Sequence, residues 1–497
     1  MDAAGTRQQP RRRGMLKKLI PIEQNPTIVY FAQQPFFKIV MVAVFAFFIM
    51  TTDTFSPLWG KVVIATIAAI TIMPRYRYII LFCGMYTLML NNALIREQPD
   101  WMVFRVNYYL LLFKKNISSD ITSSVIKYID IALMVVISEI LIYLTTYHNK
   151  IKLFRYPITI YIILLLALIL TASYAPVTLL QSLLIWSLIA VLNHYFWFVC
   201  YTLHETRFMR KRNYLLDYAR YLPVWGFTSL PYGKGSIYLE QVEAKTSEEF
   251  AVTQLKGLKL VFWAYILYWL LQMYHEFELT HGLPRLQDAL EDYSNGLHYT
   301  AWKAWLCLID KFFRMMLELT VMGHYFVACC RMCGFRILRN TYKPLQAKSI
   351  AEYWNRYNYY FKELLVEFFF YPTFFKFFKK MPRLRMFFAT MGAATFGNIV
   401  FHFFLLTPIM MSSGFVAACR GFISYTIYAI ILGVSIGFSQ LHNLNNKRKP
   451  NKIMDTYVSP IIVLLFYCLL ALFNAPYEKV SVVNNFKFLG SLFGMTW

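Results

Sequence analysis

The chain is poor in charge and poorest in acid: 15% of its 497 residues are charged, and bases outnumber acids 50 to 26. A soluble domain is nearer a quarter charged, so an ordinary water-soluble fold is excluded at the outset. Internal repeats, low-complexity linkers and stretches resembling a soluble domain are also missing. The basic N-terminal stretch up to Pro26 has no apolar core followed by a small-residue cleavage site, which points to a retained cytoplasmic tail rather than a signal peptide. Nearly all of the eight cysteines fall in apolar runs, so no disulfide framework is expected. The C-x-x-C of Cys330 and Cys333 has no second Cys or His pair at zinc spacing; small buried core residues are the plainer reading, and no metal is expected. We read no Walker motif, nucleophile elbow or H-E-x-x-H helix, which argues against an ATPase, a serine esterase or a zinc protease.

What the chain has instead is apolar bulk. Hydrophobic residues make up 58%, with 44 Phe and 36 Tyr, and the mean hydropathy is +0.44. Repeated apolar runs long enough to span a bilayer make this a polytopic membrane protein. The net charge of +24 lies in short clusters between those runs. That is the pattern of cytoplasmic loops facing anionic headgroups, so nucleic acid is not an expected partner.

The positive clusters thread the topology. The tail with Arg11–Arg13 lies inside, Arg75 and Arg77 mark the next inside loop, and the loop before Pro157 another. Residues 101–115 are too interrupted to span and read as an interfacial helix on the outer side. The densest basic segment, 204–220, is again inside, closing about six crossings in the first half. The acid-rich stretch from His275 to Gly296 is the expected outside loop, and 348–380, basic at both ends, reads as re-entrant.

The expected fold is all-α: a polytopic membrane protein of about eleven transmembrane helices plus re-entrant segments. The expected divisions are a basic cytoplasmic tail at 1–28, an N-terminal bundle at 29–203, and a cytoplasmic or re-entrant loop region at 204–257. A catalytic core at 258–475 and an extracytoplasmic tail at 476–497 complete them.

Two features stand apart from this scaffold. The stretch from Ser349 to Lys380 sets charged and aromatic residues at helical spacing, and His402 lies inside the apolar run that follows. An intramembrane ionisable residue is a functional candidate, the plainer alternative being a histidine satisfied by a neighbouring carbonyl. Asn398, one helical turn earlier, shares its face and could orient it. Glu352 and Arg356, also one turn apart, read as an ion pair. Within 299–330, Asp310, Glu318 and His324 could face a cavity or could pair with Lys311 and Arg314. His194 and His204 have no partner identifiable from sequence and read as structural.

Residues 322–365 resemble a segment of the membrane-bound O-acyltransferase family, in which a helix ends in a "GFR" turn followed by an "N–PL–A–SI–EFW-R-W" box. Gly334, Phe335, Arg336, Asn340, Pro344, Leu345, Ala347, Ser349, Ile350, Trp354 and Arg356 match that pattern. Upstream, FTSLPYGKGSIYLEQ resembles the family's "FP–GPI-R" loop, with Gly235 at its glycine. The resemblance covers roughly 220–440 and is similar to the bacterial branch of alginate O-acetyltransferase and the D-alanyl transfer protein of teichoic acid. Two positions depart from it. Asn358 stands where that branch has a histidine, as in the sterol and diacylglycerol acyltransferases, and His402 lies in NIVFHFF rather than in a "WHG" context.

The resemblance implies a bundle with a central tunnel in which an acyl group, acetyl or another short chain, passes from a thioester donor to a hydroxyl. No tightly bound cofactor is expected. The donor, acetyl-CoA or an acyl carrier protein, would be a co-substrate on the cytoplasmic side. The acceptor would be an exported polymer or a lipid, with an extracytoplasmic partner protein alongside, in a bacterial inner membrane. His402 would take the proton of the attacking hydroxyl, and Asn358 would donate to the developing oxyanion. Trp354 would wall the site, and Arg336, Arg339, Lys348 and Lys362 would hold donor phosphates at the cytoplasmic mouth. A lipid or sterol acyltransferase, or a transporter using the same intramembrane polar groups, are the alternatives.

Overall fold

A computed structural model describes residues 21–91, 119–147, 156–194, 196–205, 214–221, 232–445, 453–475 and 480–495, with the single positions 154, 223, 225 and 477. The expected interfacial helix at 101–115 and residues 1–20 of the basic tail lie outside them. Among the described residues the chain is all-helical; the one β-bridge, Glu243 to Phe335, stands alone.

Five helices are long and apolar enough to cross a membrane: Pro157–Tyr174, Ser247–Thr280, Pro382–Phe404, Ile423–His442 and Met454–Phe473. Two bent pairs bring the number to seven if each is one span: Pro26–Ala32 with Pro35–Met50, bent by 90°, and Leu180–Asn193 with Phe196–Glu205, bent by 68°. Hydropathy alone gives about 179–201 as a single crossing and does not register the bend. The helices Pro57–Ile72 and Arg77–Leu90 have 16 and 14 residues, about 24 and 21 Å of rise, against a hydrocarbon core of about 30 Å. Ala301–Met332 has ample length at 32 residues but carries Asp310, Lys311, Arg314 and Glu318 in its middle.

The most extensively packed helix pair among the described residues is the antiparallel pair Ser247–Thr280 and Ala301–Met332. Gly257 permits their close approach, because a Cβ there would lie 3.3 Å from the Ala328 carbonyl oxygen. One set of ends is joined by charge. Arg77 pairs with Glu243 at 2.8 Å, Arg220 lies 3.6 Å from the same carboxylate, and Arg336 pairs with Glu249 at 2.9 Å. Three basic loops expected on one side of the membrane therefore meet. At the other end, the stretch read as an external tail forms a helix, Val482–Ser491, packed on Leu286–Ser294 of the acid-rich loop. Phe488 is fully buried in that contact, and Trp305 Nε1 donates to the Leu492 carbonyl at 3.0 Å.

The region 204–257, read as loop, contains short helices at Tyr214–Tyr221 and Ser236–Gln241 and the first turns of Ser247–Thr280. The stretch read as re-entrant is helical from Tyr359 to Lys376, through a π-turn at Val366–Phe370. It packs against Pro382–Phe404, which has its own π-turn at Gly392–Gly397. Gly397 sits at their closest approach: a Cβ there would lie 2.9 Å from both the Leu365 Cδ2 and the Phe369 Cδ2 atoms. π-turns of this kind re-aim the residues that follow them, and here those residues include Asn398 and His402.

Candidate functional site

The helix Ile350–Arg356 starts where Ser349 can cap it. The Ser349 hydroxyl accepts from Glu352 N at 3.1 Å, and the Glu352 carboxylate accepts from Lys348 N at 2.8 Å, satisfying two amides reciprocally. Glu352 also pairs with Arg356 at 2.7 Å, the contact their spacing suggests. The helix stops at Arg356, and the next, Tyr359–Leu365, starts after Asn358, whose φ of 53° is left-handed. Asparagine tolerates that region better than other side-chain-bearing residues, so the break is written into the residue. Asn340 locks the break from outside: its carbonyl accepts from Tyr359 N at 2.8 Å, its side-chain oxygen from Tyr360 N at 3.1 Å, and its amide donates to Asn358 Oδ1 at 3.4 Å. Asn340 is itself buried against Gly323, where a Cβ would come within 2.9 Å of the amide nitrogen.

The preceding GFR turn is equally determined. Gly334 takes φ +87° beside Phe250, whose ring a Cβ would strike at 2.5 Å. Arg331 closes the turn by donating to the Ile337 carbonyl at 2.8 Å.

The break aims Asn358 into a cavity of about 420 Å³. Trp354, Asn358, Asn398 and His402 all line it, so four of the seven site residues singled out from sequence meet there although 44 positions separate Asn358 from His402. Phe361 stands between the two arms, its ring 4.8 Å from Phe401 and 5.9 Å from His402. Tyr425, from the Ile423–Asn445 helix, lies with its ring 4.6 Å from the imidazole. The His402 Nδ1 atom is buried and has no hydrogen-bond partner among the described residues. Asn398 does not orient it by a hydrogen bond: the Asn398 amide donates to the Ala394 carbonyl at 2.9 Å and its oxygen accepts from Tyr425 at 3.4 Å. The carbonyl four residues back competes for the amide, as it does for polar side chains in helices generally, so the spacing placed Asn398 on the right face but did not show its partner.

Arg336, Lys348 and Lys362 do not line the cavity. Arg336 is held by Glu249 and by the Val242 and Glu243 carbonyls. Lys362 pairs with Glu363 at 2.6 Å and lies over the Tyr359 ring, while Lys234 takes the other oxygen of the same carboxylate. Arg339 lies against the Tyr342 ring. Of the ionisable groups in 299–330, Lys311 and Glu318 line the cavity, whereas Asp310 pairs with Arg314 at 3.4 Å, which also faces Glu278 at 3.9 Å. His204, read as partnerless, contacts Glu367 at 3.0 Å; the side chain of His194 lies outside the described residues.

Sequence reasoning missed the main wall. Six tyrosines, Tyr232, Tyr353, Tyr357, Tyr425, Tyr428 and Tyr467, line the cavity. Two spend their hydroxyls on backbone: Tyr467 donates to the Ile350 carbonyl at 2.9 Å and Tyr357 to that of Met315 at 3.4 Å. In a chain with 36 tyrosines nothing in the pattern singled these out. The string GVSIG, Gly433–Gly437, does carry the letters of a nucleophile elbow, which the motif reading passed over. It lies inside the Ile423–Asn445 helix with no strand before it, and its glycines make room for Thr395 and Phe387. It is a packing seam and has no elbow geometry.

Among the described residues no group of three or more His, Cys, Asp and Glu converges as a metal site would require. The arrangement can offer an imidazole, two side-chain amides and an indole around one aromatic, partly charged chamber. No protein-family model matches the chain, and no curated protein matches its sequence.

Proposed function

We propose that the protein is a membrane-embedded O-acyltransferase that moves a short acyl group, acetyl in the simplest case, from a thioester donor to a hydroxyl. One observation carries the reading: His402, an ionisable residue in an apolar run, and Asn358, marked by the family resemblance, line the same cavity from two different segments of the chain. With this reading go the finer expectations of an eleven-crossing bundle of the membrane-bound O-acyltransferase type, a bacterial inner-membrane setting, and a donor entering from the basic side. The donor is acetyl-CoA or an acyl carrier protein, and the acceptor is an exported polysaccharide or other envelope molecule presented with the help of an extracytoplasmic partner protein.

The chemistry asks little of the protein beyond placement. As the acceptor oxygen attacks the thioester carbonyl, the neutral His402 imidazole takes its proton, and the carbon–oxygen bond forms. The carbonyl oxygen gains negative charge, which an amide N–H of Asn358 stabilises; one such donor is worth a hundred- to a thousandfold in rate, about 3 to 4 kcal/mol. The carbon–sulfur bond then breaks, and the thiolate leaves with the proton held by His402. Lys311 and Glu318 supply the cavity's charged side chains, and the tyrosine wall combines apolar faces with hydroxyl rims suited to a polyhydroxyl acceptor. A volume of about 420 Å³ is in the range of small-molecule sites.

The test is transfer of label from acyl-labelled acetyl-CoA in membranes containing the protein. Label should enter an envelope fraction with the wild type and stay in the donor with His402→Ala. Equal labelling by both proteins would refute the assignment.

A further inference from the structure

A second cavity lies away from the first. It measures about 580 Å³ and opens between the start of the Pro157–Tyr174 helix and the turn that carries Glu367 to Phe375. Its walls are chiefly apolar and aromatic, including Tyr156, Pro157, Phe368, Tyr371 and Phe375. The acid on its wall, Glu367, is engaged by His204 at 3.0 Å. Its rim is exposed: Tyr371 keeps 43% and Phe375 62% of its surface.

The chain leaves this cavity directly into a basic hairpin. Every residue from Phe375 to Leu384 is exposed, and the run interleaves Phe375, Phe377, Phe378 and Leu384 with Lys376, Lys379, Lys380 and Arg383. None of these four cations forms an ion pair among the described residues. Arg385, the next base, is spent internally, donating to the Phe374 carbonyl at 2.5 Å with its guanidinium 3.8 Å from the Phe374 ring centre. The hairpin is thus pinned closed while its four outer cations remain available. Exposed aromatics among unpaired bases, at the end of a membrane helix, belong at the level of lipid headgroups.

We propose that this hairpin and the adjoining groove form a binding site for one anionic phospholipid, an acyl chain lying in the groove and the phosphate head held by Lys376, Lys379, Lys380 and Arg383. Charge complementarity selects the head, and the apolar walls select a long chain. A soluble phosphate compound would satisfy the cations but leave the groove empty. A zwitterionic lipid would fill the groove but gain little from the cations.

The proposal is tested on the full chain in detergent by native mass spectrometry with three probes: dioleoyl phosphatidylglycerol, dioleoyl phosphatidylcholine and dihexanoyl phosphatidylglycerol. The dioleoyl phosphatidylglycerol adduct should bind at least tenfold tighter than either of the others. The variant K376Q/K379Q/K380Q/R383Q should lose about fivefold for each cation removed, until the two dioleoyl lipids bind alike. Thr159 also lines the groove, so Thr159→Trp, which fills it and leaves the cations alone, should weaken dioleoyl phosphatidylglycerol and spare the dihexanoyl form, giving a second reading should the fourfold variant not fold. Equal binding of the two headgroups by the wild type would overturn the proposal. So would full retention of phosphatidylglycerol by the fourfold variant, or loss of coenzyme A binding in that variant with phosphatidylglycerol unchanged.

Discussion

Asn358 has two separable jobs, and substitution can pull them apart. Its backbone sits at φ 53° between two helices, and its side chain lines the cavity shared with His402. Alanine in the left-handed region costs roughly 1–2 kcal/mol, and removing the amide also leaves the buried Asn340 amide without its 3.4 Å acceptor, a further loss on the order of 1 kcal/mol. Glycine adopts the same backbone freely and carries only the second cost. Asn358→Ala should therefore be less stable than Asn358→Gly by roughly 1–2 kcal/mol, read as a lower thermal midpoint by tryptophan fluorescence in detergent. Acyl transfer should separate differently. Both variants lack the oxyanion donor, so both should lose a hundred- to a thousandfold in rate at temperatures where both remain folded. Full activity in Asn358→Gly would remove the amide from the chemistry and leave Asn358 a turn residue. Equal stability of the two variants would refute the backbone argument.

Gly397→Val should push the two π-turn helices apart against Leu365 and Phe369, destabilising by about 1–3 kcal/mol in thermal denaturation; adding Phe369→Ala should restore part of the loss. Leu319→Trp should fill the cavity and abolish labelling from acetyl-CoA while leaving the thermal midpoint within a few degrees of wild type. Single cysteines at Asp288 and Lys487 should react with an impermeant maleimide from the outer side of intact cells, and one at Lys379 only after permeabilisation. Labelling of all three from the same side would overturn the threading by positive charge.

The parts of this molecule that were legible from sequence are those where chemistry contradicts its surroundings or a spaced box resembles a known one. His402 is a titratable group in an apolar run, and Asn358 was legible through the resemblance of its box to a family pattern. Neither needs a partner to be noticed. What stayed hidden depends on partners or on small departures from regular geometry. Asn398 and His402 share the face their spacing implies, but the Asn398 amide is taken by the Ala394 carbonyl and its oxygen by Tyr425, partners the spacing does not reveal. Arg336 looked like a free cation at a mouth because Glu249 reaches it from 87 positions away, and Lys362 because nothing in the pattern shows that its chain neighbour Glu363 folds back onto it. The tyrosine wall was lost among aromatics that make up 18% of the chain. Hydropathy registers apolar length but not a bend, so the stretch from about 179 to 201 reads as a single crossing although two helices meet there at 68°.

The central claim is that acyl groups pass through the chamber holding His402. Mass spectrometry of envelope polymers and lipids from cells carrying the wild type or His402→Ala, at matched membrane levels of the two proteins, tests it most directly. An acyl-bearing species present with the wild type and absent with His402→Ala is the predicted result; the same species at the same abundance in both would contradict it.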